Sequence, residues 1–170
     1  MSLAVEKALE ELATILPAGK DGYYYQGQEL AEKKCQEVEA FPGIDTLHKL
    51  YAVLRQSWKA ETAYRSCQIE WVSNDPSYGQ CAITAMLVFD MFGGSIHRIR
   101  VAGGGTHYFN KIDGQYVDLT REQFDLYDIP IEYEPNEQMQ REYCGKNPDT
   151  KARYHQLQRN IIRYLKGQSN

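Results

Sequence analysis

Three residues have types and an order that suit nucleophilic chemistry: Cys81, His107 and Asp118. A thiol is a useful nucleophile only as thiolate, and two arrangements favour that form: the positive end of a helix dipole and a neighbouring imidazolium. Cys81 follows Tyr78-Gly79-Gln80 and opens the run CAITAMLVFDMF, so its sulfur is expected at the first turn of a helix, where backbone N–H groups lack intrahelical partners. Those donors also suit a developing oxyanion. His107 and Asp118 flank the turn signal Asp113-Gly114. A two-residue turn there pairs Ile112 with Gln115 and, further out, Phe109 with Asp118 and His107 with Thr120. Side chains alternate faces along a strand, so His107 and Asp118 become diagonal neighbours on one face, roughly 7–8 Å apart at Cα. With Asp118 fixing its tautomer, His107 is placed to take a proton from Cys81 and return it to a leaving group. The chemistry is acyl transfer through a thioester. Water as acceptor makes an amidase or peptidase, an amine a transferase.

Each residue also has a plainer role. A cysteine at an apolar helix start suits core packing, a strand histidine is usually structural, and Asp118 before Leu119-Thr120 suits a cap for the next helix. It is the conjunction, in the order Cys, His, Asp, that raises the chemical reading. Gln80, Trp71, Tyr78 and Asn110 are the candidates for oxyanion donation or groove lining; Asn110 falls on the hairpin face opposite His107 and is not its expected orienter. Trp58 is a further indole donor, better placed in the core. His97, on the preceding strand, is expected to be structural. Cys35, Cys67 and Cys144 read as small buried hydrophobes, although Cys67 is the nearest in sequence to serve as resolving thiol if Cys81 is a redox sensor.

The elements that must position these groups are legible in part. Val5, Leu9, Leu12 and Leu16 recur at helical spacing behind Ser2, and Leu47, Leu50, Tyr51, Leu54 and Trp58 form a stripe behind Asp45 as N-cap. A weaker helix is expected over 29–40, and the tyrosines 23–25 are expected in a loop, lining a groove or covering a core edge. A short strand is expected over 69–72. The run 81–92 is apolar on nearly every face, which predicts a buried helix closed by Gly93-Gly94. Strands follow over 95–101, 107–112 and 115–119, with Gly103-Gly104-Gly105 as a loop or hinge. Thr120 with Gln123 fits a capping box for a short helix, 131–134 an edge strand, and Asn147-Pro148 opens a last helix striped by Tyr154, Leu157, Ile161 and Leu165. The order is α+β. We expect a single domain over 1–170: a mainly helical part (1–66), the cysteine helix with an antiparallel sheet (67–134) and a C-terminal helix (135–170).

Composition bounds the partners. Of 170 residues, 42% are hydrophobic and 25% charged, and 19 Lys and Arg against 23 Asp and Glu give a formal charge of -4. With the cations dispersed, no nucleic acid partner is expected. No run approaches the roughly 20 apolar residues of a membrane span, and the N-terminus mixes Glu and Lys into its apolar positions, so no membrane partner and a cytoplasmic location are expected. The four cysteines form no CxxC pair, so neither a metal site nor another cofactor is expected.

Tyr78-Gly79-Gln80-Cys81 resembles the active-site YGQC of transglutaminases, and Tyr116-Val117-Asp118-Leu119-Thr120 is similar to the strand that carries their orienting Asp. The fuller pattern GQCAITA…FGG…HYFN…VDLT…QF, from Gly79 to Phe124, resembles the YunG-like family of small uncharacterised bacterial proteins. The resemblance implies a papain-like, transglutaminase-like cysteine-proteinase fold with Cys81, His107 and Asp118 as triad, acting on a peptide or small amide. Two positions depart from those enzymes: Ala82 stands where transglutaminases have Trp, and Asp75 where papain-type peptidases have an oxyanion Gln. The alternative is a non-catalytic binding domain on the same fold.

Overall fold

The apolar run beginning at Cys81 becomes helix α3 (Cys81–Phe92), the centre of the structure, and eight of its residues, from Ile83 to Phe92, are buried. A computed structural model describes residues 2–36, 40–103 and 105–167. Helix α6 (Pro148–Leu165) packs on α3 and on α2 (Leu47–Ser57), and α1 (Leu3–Ala13) packs on α2 and α6; two short helices, α4 (Glu122–Asp125) and α5 (Arg141–Cys144), complete the set. Their stripes share one buried apolar cluster, in which Val5 and Leu12 of α1, Leu50 and Leu54 of α2, Met86 and Leu87 of α3 and Leu157 and Ile161 of α6 meet. Each such side chain contributes roughly 1.5–3 kcal/mol on leaving water.

Four strands, β1 (Ser95–Arg100), β2 (Thr106–Ile112), β3 (Gln115–Val117) and β4 (Glu137–Met139), form an antiparallel sheet in the order β3-β2-β1-β4. The fold is α+β. The hairpin has the expected register, Ile112 with Gln115 through Asn110 with Val117. Asp113 (φ 52°) and Gly114 (φ 78°) supply the two left-handed residues of a tight primed turn. α3 packs on the sheet face that carries Asn110, Ile112 and Val117; the Asn110 amide donates to the carbonyl of Ala85 (2.9 Å). His107 and Phe109 point to the other face.

Several expectations are corrected. Residues 28–36 do not form a helix: beyond one short turn at Gln28–Leu30, the N–H groups of Cys35 and Gln36 donate to Asp45 and Met91, so long-range partners take the backbone a helix needs. Residues 37–39 of that expected helix lie outside the described residues, as does Gly104 of the glycine loop. Thr46, not Asp45, caps α2 (3.2 Å to the N–H of Lys49), because Asp45 is taken by Lys34 and Lys49. The strand expected over 69–72 is a run of turns with Ile69 and Val72 exposed. The strand expected over 131–134 is displaced to β4, which pairs with β1. Ser2 stands at the N-cap of α1 without a side-chain bond, and Arg121, not Thr120, is the N-cap of α4, the Thr120 hydroxyl being spent on Asp118. The C-terminal third thus supplies a sheet edge and a short helix as well as α6.

Candidate active site

His107 and Asp118 meet as the hairpin parity predicts. Their side chains are each 1% exposed, and Nε2–H of His107 donates to Oδ2 of Asp118 at 2.7 Å. The carboxylate is held from every side: Oδ1 accepts from the N–H (3.1 Å) and hydroxyl (3.2 Å) of Thr120, and Oδ2 accepts from the Tyr133 hydroxyl (2.9 Å). Asp118 therefore both holds the His107 ring and anchors the turn into α4. Strand β3 stops at Val117 because the N–H of Asp118 donates to Gln26. Phe124 stands edge-on to the imidazole (centroids 4.7 Å, 82°) and Phe109 stacks beside it (6.2 Å).

This setting decides the charges. Burial pushes the imidazole pKa down, but the Asp118 carboxylate, by charge and hydrogen bond, and then the Cys81 sulfur outweigh it and raise it to about 10. Burial likewise pushes the Asp118 pKa up, and His107, Tyr133 and the Thr120 N–H more than offset it, so the carboxyl titrates below its ordinary range. The pair is imidazolium and carboxylate. Burial beside that carboxylate drives the Tyr133 hydroxyl far above its usual pKa, so it remains a donor, and Arg121 both donates to its oxygen (3.1 Å) and lies over its ring (5.4 Å).

Cys81 reaches this pair from the other side of the sheet, at the rim. It is the first residue of α3; the thiol points at the carbonyl of Thr106, the first residue of β2 and the chain neighbour of His107, at 3.9 Å. Nδ1 of His107, facing away from Asp118, is buried without a hydrogen-bond partner. No side chain caps α3, and its first ladder bond is Thr84 to Gln80, so the N–H groups of Cys81 and Ala82 lie outside the helix ladder. Gly79 makes the approach possible: its φ is +74°, and a Cβ there would sit 2.8 Å from that of Cys67.

Cys81, Ala82, Thr106 and His107 open into a cleft of about 840 Å³. Tyr64, Gly79, Tyr108, Phe124, Tyr143, Lys146 and Arg153 line it, with the Arg153 guanidinium over the Tyr64 ring (5.6 Å). Cys67 and Cys144 line it too, half-buried. None of the four other sequence candidates lines the cleft. Gln80 is fully buried and its amide donates to Lys59 (3.0 Å); the indole N–H of Trp71 donates to Pro76 (3.0 Å); Tyr78 bonds to Cys67; and Asn110 is spent on α3. Trp58 donates to Thr84 in the core. His97 is buried between Ser95 and Asn136, and Tyr25 is core while Tyr24 bonds to the end of α1. Missed by sequence reasoning were Tyr133, Phe124 and Lys146; only Phe124, on the expected short helix just beyond Asp118, carried a positional signal. Among the described residues, no group of three or more His, Cys, Asp or Glu side chains could hold a metal ion, and no helix is long and apolar enough to cross a membrane.

The family model of the YunG protein matches residues 46–166, which takes in α2 to α6 and every residue of the cleft. The chain belongs to the YunG family. It is 40% identical over 82 residues to the uncharacterized protein YunG of Bacillus subtilis strain 168, a stretch that covers 48% of this chain and 64% of that protein, so the match spans just under two-thirds of the relative. No solved structure matches. The family match extends the likeness beyond Gly79–Phe124 to the α5–α6 wall of the cleft.

Proposed function

We propose that this protein is a thiol-dependent acyl-transfer enzyme on a papain-like, transglutaminase-like fold, with Cys81 as nucleophile, His107 as acid and base, and Asp118 as orienter. One observation carries the reading: Nε2 of His107 is fixed on Asp118, its Nδ1 is buried with no hydrogen-bond partner, and the residue lines the same cleft as Cys81. A structural histidine satisfies both nitrogens, as His97 does.

In this reading the Cys81 thiolate attacks the carbonyl carbon of an amide or ester, forming the C–S bond. The oxyanion is met by the N–H groups of Cys81 and Ala82 at the uncapped start of α3. As the C–N or C–O bond breaks, the proton on Nδ1 passes to the leaving group. His107 then takes a proton from water or an amine, which attacks the thioester and releases the thiolate. A peptide or small amide fits a cleft of this volume.

The test is alkylation by iodoacetamide followed by mass spectrometry across pH, in a background with Cys67 and Cys144 changed to Ser. Labelling of Cys81 that stays fast below pH 8 and slows at least tenfold in His107→Ala is expected. Slow labelling with ordinary pH dependence, unaffected by His107→Ala, would leave the fold as a binding domain.

A further inference from the structure

The cleft around Cys81 has a one-sided charge. Lys146 and Arg153 line it and no Asp or Glu does, in a chain whose formal charge is -4. The two cations are not equivalent. Arg153 is buried and bonded through each of its three nitrogens: Nε donates to Asp149 (3.1 Å), Nη1 to the carbonyl of Thr62 (3.1 Å) and Nη2 to Thr150 (3.4 Å). It is a wall. Lys146, exposed in the turn between α5 and α6, has neither an ion-pair nor a hydrogen-bond partner for its ammonium among the described residues. Its neighbour Asn147 caps α6 through Oδ1, which accepts from the N–H groups of Asp149 and Thr150, and its amide nitrogen donates to no described residue. Two uncommitted donors therefore share one edge of the cleft, and the buried, unpartnered Nδ1 of His107 marks the reacting end. The rings of Tyr64, Tyr108, Phe124 and Tyr143 line the same cleft.

We propose that the acyl donor is anionic: an amide or ester whose carboxylate seats on Lys146 and the Asn147 amide, with an apolar stretch lying between the tyrosine rings and the scissile carbonyl at Cys81. A cleft with cations, free donors and no carboxylate raises the local concentration of anions and rejects cationic analogues. This inference rests on Cys81 being the nucleophile.

A pair of reagents separates the two claims. Iodoacetate and iodoacetamide alkylate the same thiolate by the same displacement, in which the C–S bond forms and iodide leaves, and differ in charge. Their rates on Cys81, each divided by the rate on N-acetylcysteine, give a preference for the anion that cancels the reactivity of the thiol itself. Preference for iodoacetate is expected in the native protein, reduced about 2- to 5-fold in Lys146→Ala, reduced further in Lys146→Glu, and shrinking as salt is raised. A preference unchanged in both Lys146 variants, with both folded by circular dichroism, overturns the carboxylate subsite. Loss of the nucleophile reading looks different: His107→Ala then leaves the rates of both reagents unaltered, whatever their ratio.

Discussion

Replacing Asp118 with Asn tests the electrostatic heart of the site, because it keeps the shape and removes the charge. Both partners of the His107–Asp118 pair are 1% exposed, and removing one member of a buried pair costs about 3–5 kcal/mol, here roughly 6–20 °C in midpoint for a chain of this size. The loss must depend on pH. His107 is raised from its ordinary 6.5 to about 10, so its share of stability is complete below pH 6.5 and drains away as pH climbs towards 10. Asp118 is lowered from 3.8, so its share is complete above that value and is lost as pH falls through the depressed one. The native protein therefore exceeds Asp118→Asn most between pH 3.8 and 6.5, and by less on either side. In the variant the carboxylate no longer raises the His107 pKa while burial still lowers it, so the ring gives up its proton at lower pH than in the native protein. Urea unfolding at about pH 6 and again at about pH 9.5 measures the difference. A deficit below about 1 kcal/mol at the lower pH, or one identical at both, refutes the charged pair.

Two further substitutions probe the supports of the site. Tyr133→Phe removes a donor from Asp118 Oδ2 and an acceptor from Arg121; a cost of about 1.5–3 kcal/mol is expected, with acid unfolding monitored by fluorescence moving to higher pH because the carboxylate loses stabilisation. Gly79→Ala forces a side chain into a left-handed φ and against Cys67; about 1–2 kcal/mol of strain should appear in thermal unfolding, together with slower Cys81 alkylation as the start of α3 shifts.

The legible parts of the fold were those whose causes are local. A run apolar on nearly every face and closed by two glycines predicts a buried helix, and α3 begins and ends where that run does. Asp113-Gly114 fixes a tight turn, and the two-residue repeat of a strand then puts His107 and Asp118 on one face without reference to anything else. The illegible parts depended on distant partners. The segment after Leu30 has helix formers, yet its N–H groups are claimed by Asp45 and Met91. The sequence Glu-Gln-Met of β4 has no strand alternation and is a strand only because β1 offers it an edge.

The same division runs through the site. The order of Cys81, His107 and Asp118, their elements and the shared face of the last two follow from sequence, since backbone geometry over a few residues decides them. Tertiary structure alone decided that α3 lies on the opposite face and still brings its first residue to the rim where His107 can be reached. It also decided that Tyr133 and Arg121 lock the carboxylate, and that Lys146, without a side-chain partner among the described residues, lines the same cleft as Cys81. Those contacts join segments many residues apart, and such pairings are set by how the helices and sheet pack around one core, which no local spacing encodes.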